Sequence, residues 1–143
     1  MALKYAGKIS GPLLDRIDIH VEVPSVKYVE LASKRPGESS ESIRGRVVAA
    51  RTLQESRFKG KKAVFCNSDM GPTELREFCA IDCGGADLLK SAMSKLGLSA
   101  RAYDRILKVA RTIADLAGSE LIRAEHLAEA IQYRSPDRSY RTG

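Results

Sequence analysis

The sequence predicts a mainly α-helical domain, a bundle of four to five helices, preceded by a single β-strand. Three observations carry this expectation. From Ser99 to about Ala117 the apolar residues Tyr103, Ile106, Leu107, Ala110, Ile113, Ala114 and Ala117 recur at the period of an amphipathic helix. Shorter apolar clusters between residues 39 and 133 are separated by Ser, Gly and Pro, which start and stop helices. Between Ile17 and Val23 the pattern changes to strict alternation. Ile17, Ile19, Val21 and Val23 fall on one side, Asp18, His20 and Glu22 on the other, and Pro24 ends the run.

Taken in order, the strand comes first. A lone strand cannot satisfy its own backbone groups, so it requires a sheet. Val26-Lys27-Tyr28-Val29 is only a weak candidate for a second strand, and residues 1–35 are expected to be poorly ordered without one. Lys34-Arg35-Pro36-Gly37 then breaks the chain, and a helical domain is expected over 36–134. Ser39 or Ser40 caps a first helix reaching about Phe58, with Ile43, Val47 and Ala50 on one face. Lys59-Gly60-Lys61-Lys62 is a basic turn, and Asn67, Ser68, Gly71 and Pro72 mark a loop. A short helix through Leu75, Phe78 and Cys79 follows, with Thr73 as its candidate cap and Gly84-Gly85 as its end. The next helix spans about Ala86 to Leu96, burying Leu88, Leu89, Ala92 and Met93, and Gly97 stops it. Ser99 caps the main helix, whose polar side carries Arg101, Arg105, Lys108 and Thr112, and Gly118 ends it. A last helix runs from Ile122 to about Tyr133 on Leu127, Ala130 and Ile131. Residues 135–143 read as a loose polar tail.

Composition bounds the function. A chain of 143 residues supports one domain with a real core. The formal charge of +6 favours a polyanionic partner, and nucleotide, DNA and RNA fit equally, as does a plain solvated basic surface. No apolar run has membrane-spanning length and no signal-peptide pattern occurs, so a cytoplasmic protein without a membrane partner is expected. Cys66, Cys79 and Cys83 form no C-x-x-C pair, and their odd number fits reduced thiols rather than disulfides. His20 and His126 lie too far from them in sequence for a zinc site, and Glu125, His126 and Glu129 lack H-E-x-x-H spacing. No Ser/His/Asp or Cys/His arrangement is defensible, and no G-x-x-x-x-G-K-[ST] phosphate loop is present.

Two arginines stand out. Arg101 falls in the first turn of the main helix, where a cation opposes the helix dipole by about a few tenths of a kcal/mol. That placement makes sense if an anion approaches the same end, facing both the guanidinium and the free backbone N–H groups. Arg16 sits at the mouth of the strand, just after Gly11-Pro12-Leu13-Leu14-Asp15, where reactive groups are often presented. From the residues alone, Arg101 reads first as a solvated surface arginine, and the alternative for Arg16 is a salt bridge with Asp15 or Asp18. Arg105, Lys108 and Arg111, with Arg44, Arg46, Arg51 and the run Arg57 to Lys62, form a basic set able to track a phosphate backbone. Phe58 and Phe65 are the only aromatics near that run, too few for a stacking platform.

The strings SGPLLDRIDIHVEVP, GESSESIRGRV and LSARAYDRILKVARTIADL, with HLAEAIQYRSPDR near the end, resemble the Mg-chelatase-like branch of the AAA+ ATPases. The resemblance runs from about Lys4 to Arg138 and includes the competence-associated helicases. It implies a helical lid over 36–134 and, over 1–35, the arginine-finger loop and last strand of an α/β ATPase core that lies elsewhere. It implies that Arg101 is the sensor-2 residue reading the γ-phosphate of ATP, and that Arg16 is the arginine finger acting in trans, oriented by Asp15. ATP and Mg²⁺ are the cofactors it implies for the full-length protein, the present chain being inactive alone. The partners are the core, neighbouring subunits of a ring expected to be a hexamer, and DNA as the substrate to be remodelled. The competing readings are a helical nucleic-acid-binding module without a nucleotide role, a metal-chelatase motor subunit, and a pure protein-interaction domain.

Overall fold

A computed structural model describes residues 16–21, 23, 25, 26 and 37–134. Asp15, most of the stretch 1–35 and the tail 135–143 lie outside the described residues. Five helices form the described part: α1 (Ser40–Arg57), α2 (Pro72–Phe78), α3 (Cys83–Leu96), α4 (Ala100–Leu116) and α5 (Ala124–Gln132), with a 3₁₀ turn at Asn67–Asp69. The mainly α fold class therefore holds.

The helix starts follow side-chain chemistry. The Ser39, Asp82 and Ser99 side chains accept the backbone N–H of Ser42, Gly85 and Ala102 at the heads of α1, α3 and α4. Gly97 ends α3 in the left-handed conformation, φ 62°. Two boundaries differ from the sequence reading. Gly71, not Thr73, is the cap of α2, with Pro72 at the first helical position and the Glu74 carboxylate accepting the Gly71 N–H at 3.0 Å. Gly84 and Gly85 do not end α2 but open α3. Gly85 is there because α5 leaves no room: a Cβ at this position would lie 2.8 Å from Leu127 Cδ1.

The core centres on α4. Ile106, Ala110 and Ala114 are fully buried with Leu107, Leu127, Ala130, Leu89 and Ile122 around them. α4 packs against α5, α1, α2 and the 3₁₀ turn, while α3 joins the bundle through α5. Phe58 at the end of α1 meets Phe78 of α2 edge to face, centroids 5.5 Å apart.

The α1 face expected from Ile43, Val47 and Ala50 is corrected. Only Ala50 and Gln54 are buried along α1, and Ile43 and Val47 remain exposed at 44% and 49%. The bundle reaches α1 only from Ala50 onward, so the first half of the helix extends past it into solvent. Tyr103 and Ala117 also leave the expected α4 stripe for the surface, and Arg111 and Asp115 enter the buried face.

The alternating segment at Ile17–Val23 forms no strand among the described residues. Its described backbone is bonded to the bundle: the His20 N–H donates to the Tyr133 carbonyl at 2.7 Å.

Candidate functional site

A groove of about 810 Å³ runs between the N-terminal segment and α4. Ile19, Val21, Arg101, Asp104, Lys108 and Tyr133 contribute to its lining. Arg101 stands exposed in the first turn of α4, two residues beyond the Ser99 cap, and has no partner among the described residues. Lys108, two helical turns further, donates to the Ser68 carbonyl at 2.8 Å and is thereby fixed at the groove wall. A cation at a helix N-terminus beside an apolar floor can take a phosphate or another anion.

Arg105 lies between these two and also lines the groove, but it is already engaged. Its Nη1 donates to the Arg16 carbonyl at 2.9 Å and to the Asp18 carboxylate. Arg134 reaches the same strip of backbone, donating to the Ile17 carbonyl at 3.0 Å and lying 3.6 Å from Asp18 Oδ1. His20 closes the contact, because its Nδ1 sits 3.2 Å from the Tyr133 carbonyl and so carries the ring proton. The Arg16 side chain remains exposed. Of the three residues singled out from sequence, Arg16 is thus joined through Arg105 to the helix that bears Arg101, and Asp15 lies outside the described residues.

Behind the groove lies a buried polar cluster that the sequence reading missed. Asp115, whose side chain is fully buried, accepts a two-pronged bond from Arg57, Nη1 to Oδ2 at 2.8 Å and Nη2 to Oδ1 at 2.5 Å. Asn67 Nδ2 donates to Asp115 Oδ2 at 2.8 Å and to Thr112 Oγ1 at 3.0 Å. Arg111 bonds Asp115 from one turn back, and its other nitrogens hold the Ser119 and Glu120 carbonyls at 2.5 and 2.8 Å. Burial pushes the Asp115 carboxyl up. The hydrogen bonds from Arg57 and Asn67 and the charges of Arg111 and Arg57 outweigh it and hold the pKa below the usual carboxylate value. Its outer members, Thr112 and the turn holding Ser68, reach the groove.

This cluster takes up part of the basic set. Arg57 and Arg111 are structural, and Arg46, Lys61 and Arg105 are also tied to carboxylates. Lys61 in addition lies 5.1 Å over the Phe78 ring. The signal for Arg111 was present in the periodicity: it falls between Leu107, Ala110 and Ala114 on the buried stripe, with Asp115 four residues on. Asn67 and Arg57 carried no such signal.

His126 is buried, and its Nδ1 accepts the Arg123 N–H at 3.0 Å, which caps α5. Cys79 is buried, and burial pushes its thiol up to about 11, whereas Cys83 is exposed. Among the described residues no group of His, Cys, Asp or Glu is arranged to hold a metal ion, and no helix is long and apolar enough to cross a membrane.

The family described as "Magnesium chelatase, subunit ChlI C-terminal" matches residues 37–134, and "Magnesium chelatase, subunit ChlI" matches residues 1–31. The chain is 43% identical over 138 residues to "Uncharacterized protein YifB" of Escherichia coli, covering 95% of the chain and 26% of that protein. It is 42% identical over 134 residues to "Competence protein ComM" of Haemophilus influenzae, covering 93% of the chain and 25% of that protein. The chain therefore spans about a quarter of the length of these curated relatives.

Proposed function

The chain belongs to the Mg-chelatase-like family, and from that membership we propose that it is the C-terminal lid portion of an AAA+ ATPase that works as a ring on DNA. In this reading ATP with Mg²⁺, bound by the longer protein, supplies the γ-phosphoryl group transferred to water. Arg101 binds the γ-phosphate in its own subunit, and Lys108 adds a second cation along the same groove. Arg16 extends to the site of the neighbouring subunit and stabilises charge on the transferring group, with Asp15 orienting it. Contact through Arg101 favours the closed lid, and its loss favours opening.

The observation that carries the reading is Arg101 itself, an exposed cation at the head of the longest buried-face helix, without a partner among the described residues and lining a groove. That donor set fits phosphate. No described cluster fits Mg²⁺, whose ligands this reading assigns to the ATPase core. DNA is preferred over a porphyrin because the SGPLLDRIDIHVEVP and LSARAYDRILKVARTIADL strings resemble the competence-associated helicases, and one relative is named a competence protein.

The test is ATP hydrolysis by the full-length protein, wild type against Arg101→Ala and Arg16→Ala, with and without forked DNA. Each substitution is expected to lower turnover by about a thousandfold. Mixing the two variants should restore part of it, since one acts in cis and the other in trans. DNA should stimulate the wild type. Turnover that survives both substitutions would refute the assignment.

A further inference from the structure

We propose that Asp18 is a positioning residue, clamped between Arg105 and Arg134 so that the backbone carrying Arg16 and the helix carrying Arg101 move as one piece. The proposal rests on the ATPase reading above and deepens it. Its basis is the geometry of a short stretch that belongs to no helix or strand yet is tied down at nearly every residue. Arg105 holds the Arg16 carbonyl at 2.9 Å and the Asp18 carboxylate. Arg134 holds the Ile17 carbonyl at 3.0 Å and lies 3.6 Å from Asp18. Tyr133 accepts the His20 backbone N–H at 2.7 Å. Asp18 is two residues from Arg16, and Arg105 is four residues, one helical turn, from Arg101.

The Asp18–Arg105 pair is poorly placed to stabilise the fold. The Asp18 and Arg105 side chains are 48% and 35% exposed, and exposed ion pairs contribute little to stability. α4 is already fixed by Ile106, Ala110 and the cluster around Asp115. What the clamp adds is register. A guanidinium that binds a backbone carbonyl and a side chain of the same segment sets where that segment lies along α4. Displacement of α4 by a phosphate at Arg101 is then passed to Arg16, and so from a subunit's own nucleotide to its neighbour's. Such coupling requires a physical connection with a defined geometry, which the clamp provides.

The experiment uses the full-length protein with Asp18→Ala, Arg105→Ala, the double substitution and Arg105→Lys. Turnover should fall about tenfold in each alanine variant with the KM for ATP changed less than about twofold, and the double variant should be no worse than either single one. Arg105→Lys, which keeps a donor and the charge, should retain most of the turnover. Amide exchange should quicken in residues 16–21 of the alanine variants, with α4 unchanged. Full turnover in Asp18→Ala despite faster exchange at 16–21 would overturn the clamp and leave the ATPase reading intact. Multiplicative losses in the double variant, or faster exchange within α4, would also overturn it. Wild-type turnover indifferent to Arg16→Ala and Arg101→Ala would instead remove the ATPase reading on which the clamp depends.

Discussion

Arg57 and Asp115, 58 residues apart in sequence, meet in a two-pronged ion pair in which the carboxylate has no exposed surface and the guanidinium only 15%. The pair joins the end of α1 to the end of α4, and Asn67 and Arg111 complete the ring of donors around the same two oxygens. Removing the acceptor takes the carboxylate away from two largely buried guanidinium charges, whose remaining partners are neutral oxygens. Asp115→Ala should therefore destabilise the bundle by about 3 kcal/mol or more. Chemical denaturation at neutral pH checks this, and Arg46→Ala, at the exposed pair with Glu38, should shift the same curve by less than about 1 kcal/mol.

The same cluster sets a pH dependence. Asp115 titrates in the folded protein below its ordinary value of 3.8. A carboxylate depressed by folding contributes stability that is present above the unfolded pKa and lost as pH falls through the folded one. Asp69 and Glu74 act in the same direction, the first held down by the Phe65 N–H, the second by backbone N–H groups at the head of α2. Stability should thus be level with respect to these groups at about pH 6 and decline below about pH 4. Urea midpoints across that range test it, and Asp115→Asn should flatten the acid limb.

Two adjacent glycines should respond with opposite signs. Gly84 is exposed, and a Cβ there meets only Asp82 Oδ1 at 3.7 Å. Gly84→Ala should stabilise by about 0.5–1 kcal/mol through helix propensity. Gly85→Ala gains the same propensity but drives a methyl to 2.8 Å from Leu127 Cδ1, in a side chain with no exposed surface to yield into. The overpacking, about 1–3 kcal/mol, exceeds the gain, so the net effect is destabilising. Paired thermal melts of the two variants decide the matter.

The thiols should separate by reactivity. Cys79 is 3% exposed and its thiol is pushed up to about 11 by burial, so it is neutral and shielded at pH 8. Cys83 is exposed at the first position of α3. A thiol-disulfide exchange reagent should label Cys83 promptly and Cys79 only on unfolding, as mass spectrometry of the labelled peptides will show.

The helices were legible because their ends are chemical: Ser39, Ser99 and Gly97 sit where capping predicts, and the α4 stripe is long enough to dominate its neighbours. The double glycine was misread because Gly is a helix breaker by local propensity, whereas here it serves the approach of α5. Tertiary spacing of that kind has no local sign. Ile43 and Val47 carried a valid helical period, but period alone does not say whether a partner lies opposite. In the groove, the placement of Arg101 at a helix head was legible from Ser99 and the spacing alone. The attachment of Arg105 to Asp18 was not, because the two residues are 87 apart and each looks like an ordinary surface charge.

α4 touches α1, α2, the 3₁₀ turn and α5, and Arg111 and Asp115 bind its far end to the loop beyond it. Its seventeen residues span about 25 Å. Along that length the helix is continuous, and its buried face is packed or hydrogen-bonded from Ala102 to Asp115. The helix is placed as the axle of the bundle, with α1 and α5 both packed on it. On the proposed reading, a phosphate at Arg101 is expected to swing the bundle as a single stiff arm, with no rearrangement of its own interior.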